Sequence, residues 1–269
     1  MSLFDLVPVN ELQVVPYSEK KKKQIYGEEI LGNYLTHRIA NAGQSECGKT
    51  VLLTRMLEKI VNRKFTKIYW FSPTAKKDPN VIQFIEHFYH NDDSDDDSDD
   101  DDLDESGGIE IHDSIFWEDP NDKKAIINYL DIIPGIYDEE PLILKGKEVA
   151  KCVIIFDDCP LLLKNPDTLN HITKTLRHIK GILIVLFHDL FDLPKAVRQE
   201  ITLLCVFGGA SKERFLDFLD HMGFISSSAL THSQIYDFYE QNVSVPQHNF
   251  IYLNKRTGEI RLNLNQRLQ

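Results

Sequence analysis

The chain has 269 residues and a mass of 31.1 kDa, and 42% of its residues are hydrophobic. That suits one large domain with a real core and excludes wholesale disorder. Four scattered cysteines exclude a secreted disulfide scaffold. No apolar run reaches bilayer-spanning length, and Met1-Ser2-Leu3-Phe4-Asp5 lacks the basic-then-apolar order of a signal peptide, so the expectation is an unsecreted protein of cytoplasm or nucleus without a membrane span. The net charge of −12 is local: residues 92–105 hold eleven of the 42 acids, and the rest of the chain balances 31 acids against 30 bases.

Residues 1–33 read as an N-terminal arm, with Lys20-Lys21-Lys22-Lys23 as a solvated turn. From there the pattern is α/β. Residues 34–42 form a strand candidate that is unusually polar, with His37, Arg38 and Asn41. Apolar residues at helical spacing fill 50–61, a β-rich run stopped by Pro73 fills 67–72, and 81–88 reads as helix. The acidic tract cannot bury apolar surface, so an insertion at about 91–108 is expected to be a disordered surface loop. An edge strand at 109–115 and a short helix at 123–132 follow, then an apolar strand at 151–156, a helix at 167–179, and apolar strands at 182–187 and 201–207. Near-continuous apolar strands alternating with helices predict a mainly parallel sheet covered on both faces. An amphipathic helix at 211–222 closes a core expected to span 34–223. Residues 224–269 read as an extension of the same domain, with a helix and a hairpin at 250–262 turning at Gly258.

Gly43-Gln44-Ser45-Glu46-Cys47-Gly48-Lys49-Thr50 is a full G-x-x-x-x-G-K-[ST] match between a strand and an amphipathic helix. Glycines let the backbone wrap a phosphate chain with its N–H groups inward, and the following helix adds its positive N-terminal end. Lys49 supplies a point charge for the β- and γ-phosphates, and Thr50 a hydroxyl for Mg²⁺. Such a site needs an acid at the end of an apolar strand, and Val153-Ile154-Ile155-Phe156-Asp157-Asp158 provides two. Asp157 is assigned to the Mg²⁺ shell and Asp158 to the attacking water. The strand at 182–187 follows this pair and ends at His188. That order suits the P-loop branch with an extra central strand, whose polar tip senses the γ-phosphate. Two arginines flank that strand, Arg177 before it and Arg198 after it. Either is a candidate to act in trans at a neighbouring subunit's nucleotide.

Several features taken together resemble the FtsK–HerA superfamily. They are the phosphate loop, Lys67-Ile68-Tyr69-Trp70-Phe71-Ser72-Pro73-Thr74, the strand ending Asp157-Asp158, Leu176-Arg177-His178 before the sensor strand, and Leu193-Pro194-x-x-x-Arg198 after it. Within the superfamily the likeness is to genome-packaging ATPases of eukaryotic DNA viruses, virophages and related transposons, including the poxvirus packaging ATPase. It covers roughly residues 34–260. The resemblance implies a three-layer P-loop NTPase fold of the RecA/FtsK-like type, with ATP and Mg²⁺ as ligands. It further implies a homo-oligomeric ring that moves double-stranded DNA into a capsid. Capsid or portal-vertex proteins are then partners, and the setting is host cytoplasm or nucleus or the virion. His188 stands where the family usually carries glutamine, and Glu200 where it often carries asparagine.

Two other classes fit the same residues. A switch or clamp-type ATPase shares the core without acting on DNA. A nucleotide-gated interaction module would bind without hydrolysing. A GTPase would need Asn-Lys-x-Asp, and Asn254-Lys255-Arg256-Thr257 lacks the acid.

Overall fold

The computed structural model describes residues 6–8, 24, 25, 27–32, 34–89, 108–112, 142–159, 166–175, 181–243 and 248–268. The acidic tract, the expected helix at 123–132, Arg177 and His178 lie outside them.

The strands are β1 (Leu6–Pro8), β2 (Gln24–Ile25), β3 (His37–Ala42), β4 (Lys67–Phe71), β5 (Gly108–His112), β6 (Leu142–Leu144), β7 (Lys147–Val149), β8 (Cys152–Asp157), β9 (Ile182–Phe187), β10 (Leu203–Phe207), β11 (Phe250–Asn254), β12 (Glu259–Leu262) and β13 (Gln266–Leu268). The helices are α1 (Glu28–Leu31), α2 (Lys49–Ile60), α3 (Pro79–Tyr89), α4 (Pro166–Thr175), α5 (Lys195–Arg198), α6 (Lys212–Met222) and α7 (His232–Val243). Among the described residues, ten strands form one sheet in the order β1-β13-β12-β11-β10-β3-β9-β8-β4-β5. From β10 to β5 every pairing is parallel, and from β10 to β1 every pairing is antiparallel. The strand after the Asp-Asp pair, β9, lies between the phosphate-loop strand β3 and the acid-bearing strand β8. This is the extra central strand that the sequence order predicts.

Alternation along the strands divides the core into two layers. Leu183, Val185 and Phe187 of β9 pack with Phe215, Phe218 and Leu219 of α6 and Ile235 and Phe238 of α7. Ile182, Ile184 and Leu186 pack on the other face with Leu53, Met56, Leu57 and Ile60 of α2 and Val81 and Phe84 of α3. Both faces are covered, which is why the central strands carry no polar alternation. Losing one of these side chains to alanine costs about 2–5 kcal/mol in such a core.

The polar strand β3 is nonetheless buried along its whole length. Some of its polar groups are met from neighbouring elements, while His37 Nε2 and both polar atoms of the Asn41 amide have no hydrogen-bond partner among the described residues. His37 Nδ1 lies 3.0 Å from Thr202 Oγ1, and Arg38 Nε donates to the Thr173 carbonyl at 2.7 Å. Burial, with Arg256 and Arg38 nearby, pushes the His37 imidazole down to about 3, so it stays neutral near pH 7.

The C-terminal hairpin forms as the sequence predicts, turning at Gly258 with a left-handed φ of 70°. A Cβ there would lie 2.6 Å from the Ile225 carbonyl oxygen, so the turn is also closely packed. The Asn254 side chain accepts from the backbone N–H groups of Arg256 and Thr257, giving the Asn-Lys pair a turn-forming role. The separate sheet β2-β7-β6 has strands of two or three residues, too short to show a period of two in the sequence. Among the described residues, no helix is long and apolar enough to cross a membrane.

Candidate functional site

The phosphate loop leaves the sheet between the two strands beside β3. Gly43 N–H donates to the Phe187 carbonyl of β9 at 3.1 Å. On the other side, a Cβ on Gly43 would sit 2.7 Å from Cβ of Phe207 in β10 and 2.6 Å from Cys47 Sγ. Only glycine fits. Glu46 (φ 64°) and Gly48 (φ 103°) are left-handed, which curls the loop over the start of α2. Glu46 is exposed. Lys49 Nζ donates to the carbonyls of Gly43 (2.6 Å) and Gln44 (2.8 Å), so the ammonium sits inside the curl of its own loop. Burial pushes the Cys47 thiol up, against the opposing pull of Lys49.

Asp157 ends β8 on the α2 side of the sheet and is 8% exposed. Burial pushes its carboxyl up to about 6, with a smaller push from Asp158 and Asp78, while Trp70 and Lys49 act in the opposite sense. The buried Trp70 indole N–H has no hydrogen-bond partner at bonding distance among the described residues. Thr50 and Asp157 are hard oxygen donors beside the Lys49 charge, a set that suits Mg²⁺ held jointly with nucleotide phosphates.

Asp158 is exposed and left-handed (φ 52°), a strained position for a non-glycine residue. The turn carries its carboxylate across to the next strand tip, where Oδ1 lies 3.2 Å from His188 Nε2. The structure thus brings together the two residues assigned to the attacking water and the γ-phosphate sensor.

A cleft of about 810 Å³ opens beside the loop. Lys49 and Thr50 line it together with Phe207, Phe250, His248 and Asn263. The Phe207 and Phe250 rings lie 5.0 Å apart, and His248 Nδ1 is 3.1 Å from the Cys47 carbonyl oxygen. This apolar wall is of the kind that takes a nucleoside, next to a cradle for its phosphates.

Arg198, the candidate after β9, is bound within its own chain. It is 3% exposed, and its guanidinium turns inward. Nε donates to the Leu193 carbonyl at 2.7 Å, and Nη1 to Asp217 of α6 at 2.6 Å. The rings of Phe191 and Phe218 lie 5.1 and 5.5 Å from it. A side chain with all these internal partners ties the turn after β9 to α6. Sequence reasoning passed over Arg214, in the first turn of α6, whose guanidinium pairs with Asp189. It also passed over Asp78, which lines the cleft and caps α3 by accepting from Asn80 N–H at 2.8 Å.

No protein-family model matches the chain, and no curated protein does. Among solved structures it superposes on the genome packaging NTPase B204 from Sulfolobus turreted icosahedral virus 2 in complex with AMPPCP. The identity is 10% and the TM-score 0.50, over 85% of this chain and 97% of that one. It superposes also on the pCW3 conjugation coupling protein TcpA with ATPγS, at 8% identity and TM-score 0.50, over 93% of this chain and 68% of that one. The fold is that of the P-loop NTPases. At these identities the likeness is one of fold.

Proposed function

We propose that the chain is an ATP-hydrolysing motor that moves double-stranded DNA, and that its task is packaging a viral genome into a capsid. The observation that carries the ATPase reading is the pairing of Asp158 with His188 at the tips of β8 and β9, beside a complete phosphate loop. A binding module needs the loop alone. Hydrolysis needs, in addition, groups that place a water and register the terminal phosphate.

In this reading the loop N–H groups and Lys49 hold the triphosphate. Thr50 and Asp157 would hold Mg²⁺, which would supply neutralising positive charge at the phosphate oxygens. Asp158 accepts a hydrogen bond from the attacking water and orients it in line. His188 turns its Nε2–H from Asp158 to the γ-phosphate, and that exchange links recognition of the phosphate to placement of the water. The DNA part rests on the family likeness and on folds shared with a packaging NTPase and a conjugation coupling protein. A ring of identical subunits, sequence-tolerant contact to DNA phosphates and a capsid-vertex partner belong to the same proposal.

Steady-state ATP turnover with and without double-stranded DNA tests it. Stimulation of several-fold, falling as salt rises, is the expected outcome. Turnover indifferent to DNA would replace the motor with a switch-type ATPase.

A further inference from the structure

Arg214 lines a small hollow with Gly43 and Gln44 of the phosphate loop, His188, Asp189 and Gly209. The platform beneath it is firm. Ser211 caps α6 by accepting from the Arg214 N–H. The Tyr239 hydroxyl donates to the Phe207 carbonyl (2.7 Å) and accepts from the Ala210 N–H (2.9 Å), pinning the loop from β10 to α6. Gly209 (φ 101°) packs against Gln44, where a Cβ would lie 3.1 Å from Nε2. The first turn of α6 is therefore held against the start of the phosphate loop. The Lys49 ammonium bonds the carbonyls of Gly43 and Gln44, so this end of the loop serves the terminal phosphates.

The guanidinium itself is held weakly. Its partner Asp189 and Arg214 have side chains 36% and 45% exposed, and a pair so open to water is worth about 0–1 kcal/mol. Its second contact is the Phe191 ring, 5.1 Å away. A phosphate with more than one charge competes well for such an arginine, because charge-assisted bonds to it are stronger.

We propose that Arg214 contacts the γ-phosphate of the nucleotide bound by its own subunit, and that the Asp189–Arg214 ion pair is its resting position. Asp189 directly follows His188, so a switch of Arg214 from Asp189 to phosphate frees the turn that carries the sensor. That turn is tied to α6 through Arg198 and Asp217, which gives the exchange a mechanical outlet. The inference rests on the reading of the loop as a triphosphate site.

The test is the affinity for ADP and for the non-hydrolysable AMPPNP, measured by calorimetry on the full chain and on R214A, R214K and D189N. R214A is expected to weaken AMPPNP about tenfold while ADP affinity changes less than about twofold. R214K should fall between, and D189N should bind AMPPNP no more weakly than the unsubstituted chain. Retained ADP affinity doubles as the evidence that R214A is folded. Equal weakening of both nucleotides, or no change in either, would overturn the inference alone. Failure of the unsubstituted chain to bind either nucleotide would overturn the ATPase reading and this inference with it.

Discussion

Lys49→Ala is expected to lower ATP turnover at least about a hundredfold, the scale of removing one preorganised charge from a transition state. The loss has two parts. The ammonium proposed to face the β- and γ-phosphates disappears, and the loop loses the bonds that close it at the Gly43 and Gln44 carbonyls. The second part predicts that nucleotide affinity falls together with turnover. Lys49→Arg should not restore activity, because a planar fork cannot take the place of a point charge inside so tight a curl. Phosphate release at saturating ATP checks both variants. Thermal unfolding should show little change in Lys49→Ala, since the side chain contacts only the loop it sits in.

Asp157→Asn is expected to abolish Mg²⁺-dependent turnover and, without nucleotide, to make the chain more stable. The folded-state carboxyl titrates at about 6 against 3.8 when unperturbed, chiefly because it is buried. A folded pKa above the unfolded one means that the folded chain binds this proton more tightly. The contribution of Asp157 to stability is therefore intact below pH 4, declines as pH rises through 4 to 6, and is a full penalty above that. Its size is roughly 3 kcal/mol at neutral pH. Asparagine carries no such penalty. Its thermal midpoint should exceed that of the unsubstituted chain at pH 7 and approach it at pH 4. Mg²⁺ affinity of the unsubstituted chain should fall as pH drops through 6, and asparagine should show no such step. A variant less stable than its parent at pH 7 would mean that Asp157 is held by partners rather than strained by burial.

The parts of the site that sequence made legible share one property: their chemistry lies in consecutive residues. The phosphate loop is eight residues long, and the Asp157-Asp158 pair ends an apolar run. The order of strands also placed β9 in the centre, because buried parallel strands read as unbroken apolar runs, and His188 followed from that. The inward partners of Arg198 were not legible because proximity along the chain carries no direction. Its one-turn helix faces α6, and Asp217, nineteen residues later, takes the charge. Arg214 was hidden inside a helix whose amphipathic pattern speaks only of packing, although Phe215 and Phe218 do bury as that pattern requires. The cleft wall was out of reach for a different reason. Phe250 and His248 come about two hundred residues after the loop they flank. Only the antiparallel joining of β11 to β10 puts them there. The very short strands β2, β6, β7 and β13 have no readable period at all.

Displacement of a third-strand oligonucleotide from linear duplex DNA is the most direct measurement of movement along DNA. The account expects displacement that requires ATP and Mg²⁺, weakens with added salt and disappears in Lys49→Ala. ATP turnover at the same rate with and without DNA, and a third strand left in place, would contradict it.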